Sequence, residues 1–222
     1  MKNEISIDCV IFGVDQGDLK ILLIKRNEVP QKGIMALPGD FLNTKESLKA
    51  SAEKTLKLIT GLDDIFLEQI GAFGEVERYP LARVVTIGYY ALINILNNKT
   101  QAGHTAEKLE WCSVNKLPPL AFDHEKIIQS AYQILKRKIR FEPIGFNLLP
   151  KEFSLTELQE VYEAVLGNKL NKRNFRTKIS QMKLLINTEK KQQNVAHKPA
   201  ILYRFDEKVY EDLKSKGFYF NL

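Results

Sequence analysis

The sequence predicts an α+β protein in two parts: a mixed α/β unit at about 1–142 and a smaller helical unit ending in a hairpin at 143–222. Three observations carry this reading. Apolar, β-branched runs alternate with two amphipathic helical stretches over the first part, a mixed pattern of strands and helices. The segment Phe141 to Pro150 (FEPIGFNLLP) has two prolines and a glycine, which restrict the backbone and mark a turn-rich connection. Charge is uneven: the chain carries +6, of which 143–222 hold +5 and 1–142 only +1.

The elements follow in chain order. Residues 5–14 and 19–26 read as strands joined by Asp15-Gln16-Gly17-Asp18, a hairpin signal. Residues 43–59 read as a helix. Asn43 and Glu46 have capping-box spacing, Leu48, Ala52, Leu56 and Ile59 form one stripe, and Gly61 ends it. Strands are expected at 65–73, 83–95 and 109–114, with a surface loop at 97–106. A second helix at 124–140 places Ile127, Ile128, Ala131, Ile134 and Leu135 on its apolar side.

Beyond the connection, Ser154-Leu-Thr-Glu157 is a capping box that opens a helix with Leu155, Leu158, Val161, Tyr162 and Val165, stopped by Gly167. Asn171 can cap the next helix, where Phe175, Ile179 and Met182 form a buried stripe. Two apolar segments, 184–186 and 201–205, flank a polar basic loop, Asn187 to Lys198. Helix, turn, helix, then hairpin is the order of a winged helix-turn-helix. Residues 168–204 hold ten basic residues and one acid, the footprint of a nucleic-acid surface or of a solvated basic face. A recognition helix must bury one face and offer the other to a groove. Lys172, Arg173, Asn174, Arg176, Thr177 and Ser180 are on the offered face, and Lys190, Lys191, His197 and Lys198 belong to the wing; these are the candidate DNA contacts.

Composition excludes several classes. At 44% hydrophobic residues the chain can build a core, and no apolar run approaches the roughly 20 residues of a membrane span. The N-terminus lacks a secretory layout. Cys9 and Cys112 are too few for a disulfide framework and fit no metal spacing, so a cytoplasmic protein with buried thiols is expected.

The stretch Gly39 to Leu62 resembles the Nudix box: Gly, five residues, Glu, seven residues, then Arg-Glu-apolar-any-Glu-Glu-any-Gly-apolar. Glu46, Leu56, Gly61 and Leu62 fall in register, Lys54 replaces the Arg, and Asp40 stands at the Gly position. The resemblance implies a Nudix-like α/β/α sandwich with a mixed sheet. The glutamates that hold magnesium in that family fall on Thr55, Leu58 and Ile59. Mg²⁺ needs oxygen ligands, and two of these side chains offer none. No catalytic residue, metal or cofactor is therefore expected.

Together with the phrases PIGFNLLPKEFSLTELQEVYEAVLG, NKRNFRTKI and HKPAILYRF, the chain resembles the Nudix-related transcriptional regulators. These include the NrtR group, which senses ADP-ribose, and the AraR type, which senses L-arabinose. The resemblance implies a homodimer on a palindromic operator, double-stranded DNA that is released when a small effector binds. The family segment Gly-Phe-Gly…Arg-Asp-Pro…Arg-Val-Val is matched by Arg78, Pro80 and Arg83, with Tyr79 at the Asp position. Two arginines suit a diphosphate. A neutral sugar instead calls for mixed donors and acceptors such as Asp8, Lys25, Asp40, Gln69, Asp123 and His124. The Tyr79 departure favours a pentose such as L-arabinose over ADP-ribose, and with it a repressor of sugar-utilisation genes. Other roles compete for the same side chains: Arg78 and Arg83 in salt bridges, His124 and Glu46 in helix capping. The rival function is an active Nudix hydrolase of ADP-ribose or a sugar nucleotide; a protein-interaction module that does not touch DNA is a third reading.

Overall fold

The computed structural model describes residues 4–43, 45–103, 105–193 and 198–222. It divides into two compact units, 1–134 and 135–222. The sequence places the boundary at 142/143; the division falls earlier because one helix, α2 (His124–Phe141), contributes residues to both units. Among the described residues no helix is long and apolar enough to cross a membrane.

In the first unit β1 (Glu4–Asp15) and β2 (Asp18–Arg26) form the expected hairpin. Its loop residues Gln16 and Gly17 both have positive φ (51° and 73°). That is the backbone of a type I′ turn, whose twist matches the strands it joins. The remaining strands are β3 (Met35–Ala36), β4 (Gly39–Phe41), β5 (Glu68–Phe73), β6 (Val84–Leu92) and β7 (Ala106–Ser113). All seven make one mixed sheet. β1 pairs parallel with β6 from Glu4↔Val84 to Phe12↔Leu92, and β5 pairs antiparallel with β6. On its other edge β1 divides its partners: Phe12 to Asp15 pair with β2, whereas Ser6 to Asp8 pair with β4. β2 turns away to pair with β7 and β3. The sheet parts where β2 and β4 leave β1, and that parting makes room for a cleft.

Alternation along β1 sends Ile7, Cys9 and Ile11 to one face. There they pack with Ala52 and Leu56 of α1 (Leu48–Thr60) and with Tyr89, Ala91 and Ile93. Asp8 lies on the opposite face by the same alternation. The start of α1 differs from the expected one. Ser47 Oγ accepts from Ala50 N–H (3.2 Å), so the helix begins at Leu48 and not at Asn43. Asn43 is used before the helix: its side chain accepts from Lys45 N–H (3.1 Å), a local turn that competes with capping. Gly61 ends the helix in the left-handed conformation, φ 73°, as its position predicts.

The second unit holds a 3₁₀ turn (Pro143–Leu148), β8 (Phe153–Ser154), α3 (Leu155–Leu166), α4 (Lys172–Met182), β9 (Leu185–Lys191), β10 (Ile201–Phe205) and α5 (Glu207–Ser215). Both halves of the Ser154–Glu157 capping box are made, and Asn171 caps α4 through Asn174 N–H. The strands order β8-β10-β9. Asn187 to Lys191 extend β9 and are not loop, and Met182 is half-buried where the stripe predicts burial. β3, β4, β8 and α5 were not expected. Core residues Phe153, Leu158, Val161, Tyr162, Val165, Phe175 and Ile179 are buried, and Phe146 stacks on Phe205 with centroids 4.2 Å apart.

Tyr162 is fully buried, packs edge-on to Phe175, and its hydroxyl finds no hydrogen-bond partner among the described residues. A buried unsatisfied hydroxyl costs about 1–3 kcal/mol. Tyr162→Phe is therefore expected to leave the thermal midpoint unchanged or to raise it. A clear drop in the melting scan would show that the hydroxyl is satisfied.

Candidate functional site

The cleft is lined from β1, β2, β4, two connecting segments and the start of α2: Ser6, Asp8, Ile24, Arg26, Asp40, Phe41, Arg78, Tyr79, Phe122 and His124 contribute. Its deep end is an ion cluster. Arg78 donates to Asp123 through Nε (3.0 Å to Oδ2) and Nη2 (2.6 Å to Oδ1), a bidentate pair. Arg78 Nη2 is also 3.9 Å from Asp8 Oδ2, and the Arg78 side chain is only 3% exposed. His124 Nδ1 accepts from Leu37 N–H (2.9 Å), and its Nε2 faces Asp8 Oδ1 at 3.7 Å. Burial holds the His124 pKa below its usual value, reinforced by Arg78 and Arg26 and opposed by Asp8 and Asp123. The ring is neutral near pH 7, and with Nδ1 accepting, its proton is on Nε2.

An aromatic wall adjoins this cluster. Tyr79 packs on Phe122 (5.2 Å between centroids) and edge-on to Phe41 (6.0 Å), and Phe122 packs on His124 (5.4 Å). The Arg26 guanidinium stands over the Phe122 ring at 5.0 Å. Phe122 itself has φ 52°, the left-handed region that bulky residues avoid. Such conformations persist where the surroundings over-determine them, and they cluster at functional sites.

Of the residues expected to meet an effector, Asp8, Asp40, Arg78 and His124 line the cleft, and Asp123 backs Arg78. Three do not line it. Lys25 turns to Glu107 (2.8 Å), Gln69 is exposed on β5, and Arg83 donates to the Glu75 carbonyl (3.1 Å). The Nε–Nη2 edge of Arg78 is engaged by Asp123, so this guanidinium meets a ligand only through its remaining N–H groups. His124 does not cap α2; it anchors the β3–β4 connection at Leu37. Arg26 and Phe122 were missed by sequence reasoning. The one signal was position: Arg26 ends a strand, and Phe122 immediately precedes the Asp123-His124 pair.

The Nudix-box helix keeps its frame without metal ligands. Lys54 bridges to Glu46 (2.6 Å), which ties the loop before α1 to its middle. At the expected glutamate positions Thr55 is buried, Leu58 is exposed, and Ile59 is in the core with Ile24, Ala36 and Ala121. Among the described residues no group of three side chains is placed to hold a metal ion. One hydroxyl and two alkyl side chains at the glutamate positions do not fit magnesium, which needs a shell of oxygen ligands.

In the second unit Lys172, Arg173, Asn174, Thr177 and Ser180 are exposed on α4, while Phe175 and Ile179 are buried beneath them. Arg176 departs from this face. It is half-buried, donates from Nη2 to Thr156 Oγ1 of α3 (3.3 Å), and leaves its buried Nε without a partner among the described residues. Lys190 and Lys191 are exposed on β9, with Lys190 on Glu152 (2.7 Å); Lys198 is exposed, and His197 lies outside the described residues. The turn between the helices is held by Glu163, which accepts from Leu170 N–H (3.0 Å), Gln159 (2.8 Å) and Lys169 (2.7 Å).

One prediction follows from the neutral, buried His124. Its folded pKa is below its unfolded value near 6.5, so the unfolded chain takes up the proton first as pH falls. The stabilising contribution is whole above about pH 6.5 and is lost below it, at up to about 1.4 kcal/mol per pH unit. His124→Asn, whose amide oxygen can accept from Leu37 N–H, should flatten this part of the denaturant-midpoint profile between about pH 5 and 6.5. Identical slopes for both proteins would contradict it.

The NUDIX domain family matches residues 2–131, and the NrtR DNA-binding winged helix domain family matches residues 145–205. The chain is 39% identical over 211 residues to the ADPR responsive transcriptional repressor NtrR of Acinetobacter baylyi, covering 93% of this chain and 83% of that one. Over 119 residues it is 37% identical to the ADP-ribose pyrophosphatase of Methanocaldococcus jannaschii, covering 54% of this chain and 69% of that one. Shewanella oneidensis NrtR, crystallised with a 27mer DNA, matches with a TM-score of 0.82 at 29% identity, over 98% of this chain and 99% of that one. The NUDIX domain of that protein, crystallised with ADP ribose, matches with a TM-score of 0.57 at 28% identity, over 61% of this chain and 90% of that one. The chain belongs to the Nudix-related transcriptional regulators, with a Nudix-like α/β/α sandwich on a mixed sheet followed by a winged helix-turn-helix.

Proposed function

We propose that this protein is a transcriptional repressor that binds DNA through α4 and the wing and releases it when ADP-ribose occupies the cleft. The observation that carries the reading is the near full-length likeness to a repressor described as responsive to ADPR. The structure supports each half. α4 offers a basic, polar face over a buried stripe, as a groove-reading helix must. The cleft joins an aromatic wall, a cation at Arg26 and a buried carboxylate, which suit a base, a diphosphate and a ribose respectively.

The expectation of a pentose rested on Tyr79 standing where the family has Asp. Tyr79 is part of the aromatic wall, where a ring gives a nucleobase a stacking surface. ADP-ribose is therefore the first reading. A pentose, with sugar-utilisation genes as targets, is the second, favoured by the mixed donors and acceptors around Asp8. A hydrolase is disfavoured by Thr55, Leu58 and Ile59, although one relative is a pyrophosphatase. The protein acts as a dimer, since twofold operators match twofold proteins. Asp123 and His124 open α2, which carries residues of both units, so a change at the cleft has a covalent route toward the winged helix. A coupling of about 1–3 kcal/mol is enough for a several-fold to hundredfold switch.

The test is fluorescence anisotropy on a duplex that the protein selects from a random pool. ADP-ribose should weaken binding several-fold or more, whereas L-arabinose should not; the reverse outcome would favour the second reading, and no effect of either would reject both. ADP-ribose incubated with the protein and Mg²⁺ should yield no ribose 5-phosphate; robust turnover would restore the hydrolase. Arg173→Ala should weaken DNA binding by about 1–3 kcal/mol. Arg176→Ala should affect DNA binding less and the unfolding midpoint more, because Arg176 is spent on α3.

A further inference from the structure

Asp8 is 6% exposed, lines the cleft, and is held between two nitrogen donors that do not reach it. Its Oδ1 is 3.7 Å from His124 Nε2 and its Oδ2 is 3.9 Å from Arg78 Nη2. Both separations exceed a hydrogen bond, yet each fits a hydroxyl placed between donor and acceptor. A hydroxyl oxygen about 2.7–2.8 Å from a carboxylate oxygen and about 2.9 Å from a nitrogen closes either triangle. Such a hydroxyl would donate to Asp8 and accept from the N–H. Both nitrogens have a proton to give: His124 bears its hydrogen on Nε2 because Nδ1 accepts from Leu37, and Arg78 Nη2 has a second N–H beyond the one on Asp123. Gly39 pairs with Asp8 across β4 and β1, and a Cβ on Gly39 would come 2.0 Å from Asp8 Oδ1. The missing side chain leaves the carboxylate its place.

We propose that Asp8 is the specificity-determining acceptor for a vicinal diol, with one hydroxyl bridging it to His124 and the neighbouring hydroxyl bridging it to Arg78. This rests on the effector reading and deepens it by assigning a ribose ring to the deep end of the cleft. The diphosphate of ADP-ribose cannot fill the role, since it is esterified at both ends, has no proton to give at neutral pH and would meet a buried carboxylate. The diphosphate must then lie elsewhere, with Arg26 the available cation. A free pentose offers the same diol, so the experiment separates the two sources.

Calorimetric titration of the full-length protein and of Asp8→Asn uses three probes. These are ADP-ribose, its analogue lacking the 2-hydroxyl of the adenosine ribose, and its analogue lacking the 2-hydroxyl of the terminal ribose. The unaltered protein should lose about tenfold to hundredfold in affinity with one analogue, as expected for a hydrogen bond to a charged group. Asp8→Asn should lose as much toward ADP-ribose and cease to distinguish that analogue. Equal affinity of Asp8→Asn for ADP-ribose, or equal weakening toward all three ligands, overturns the proposal. Should Asp8→Asn fail to fold, the unaltered protein decides alone, and indifference to both analogues overturns it. If the unaltered protein takes up no ADP-ribose, the effector reading fails separately. D-ribose, L-arabinose and 2-deoxyribose then test the diol: discrimination against 2-deoxyribose supports it, and its absence refutes it.

Discussion

The cleft depends on one buried ion pair, Arg78 with Asp123. A guanidinium at 3% exposure is tolerable inside a protein only when its donors are met, and Asp123 meets two of them in a fork. Removing one partner of such a pair typically costs about 3–5 kcal/mol, because the other charge is left buried alone. The pair also fixes what is next to it in the chain. Tyr79 follows Arg78, and Phe122 and His124 flank Asp123, so the fork that joins residues 45 positions apart also brings Tyr79 against Phe122. The aromatic wall, the histidine and the polar floor at Asp8 share this one anchor.

The Nudix-box helix keeps its frame while Thr55, Leu58 and Ile59 stand at the positions of the family's metal-binding glutamates. Its cap, its terminating glycine and the Lys54–Glu46 bridge all hold the helix and the loop before it in place. None of these interactions concerns a metal. At the positions that would face one, Ile59 has joined the core and Leu58 faces solvent. The second unit is built with comparable local economy. A complete capping box starts α3, and one carboxylate, Glu163, gathers the turn that sets α4 after it.

Much of this was legible in the sequence where periodicity and caps act locally. The β1–β2 hairpin, α1, α2, α3 and α4 all announce themselves by spacing and by residues such as Gly17, Gly61, Ser154 and Asn171. The failures have physical causes. β3 and β4 are too short to show alternation, and α5 is a nine-residue helix with no buried residue, so its stripe is only Val209, Tyr210 and Leu213. Asn43 and Ser47 are both good caps, and only the competing turn at Lys45 decides between them. The cleft was half legible. Asp8, Asp40, Arg78 and His124 carry chemistry recognisable by type, but the pairing of Arg78 with Asp123 is a tertiary event. Lys25 and Arg83 look equally suitable in sequence and turn elsewhere. Tyr79 stands where the family has an acid, and only the fold shows its ring packed between Phe41 and Phe122.

In the proposed function the cleft and the basic helix are two ends of one switch. Linkage requires the effect to be reciprocal: whatever factor ADP-ribose removes from DNA affinity, DNA must remove from ADP-ribose affinity. The direct measurement is the ADP-ribose dissociation constant of the free protein and of the protein saturated with its selected duplex. A reciprocal switch requires weaker ADP-ribose binding in the DNA complex, by the same factor that ADP-ribose weakens DNA binding. Equal ADP-ribose affinity in the two states would contradict it.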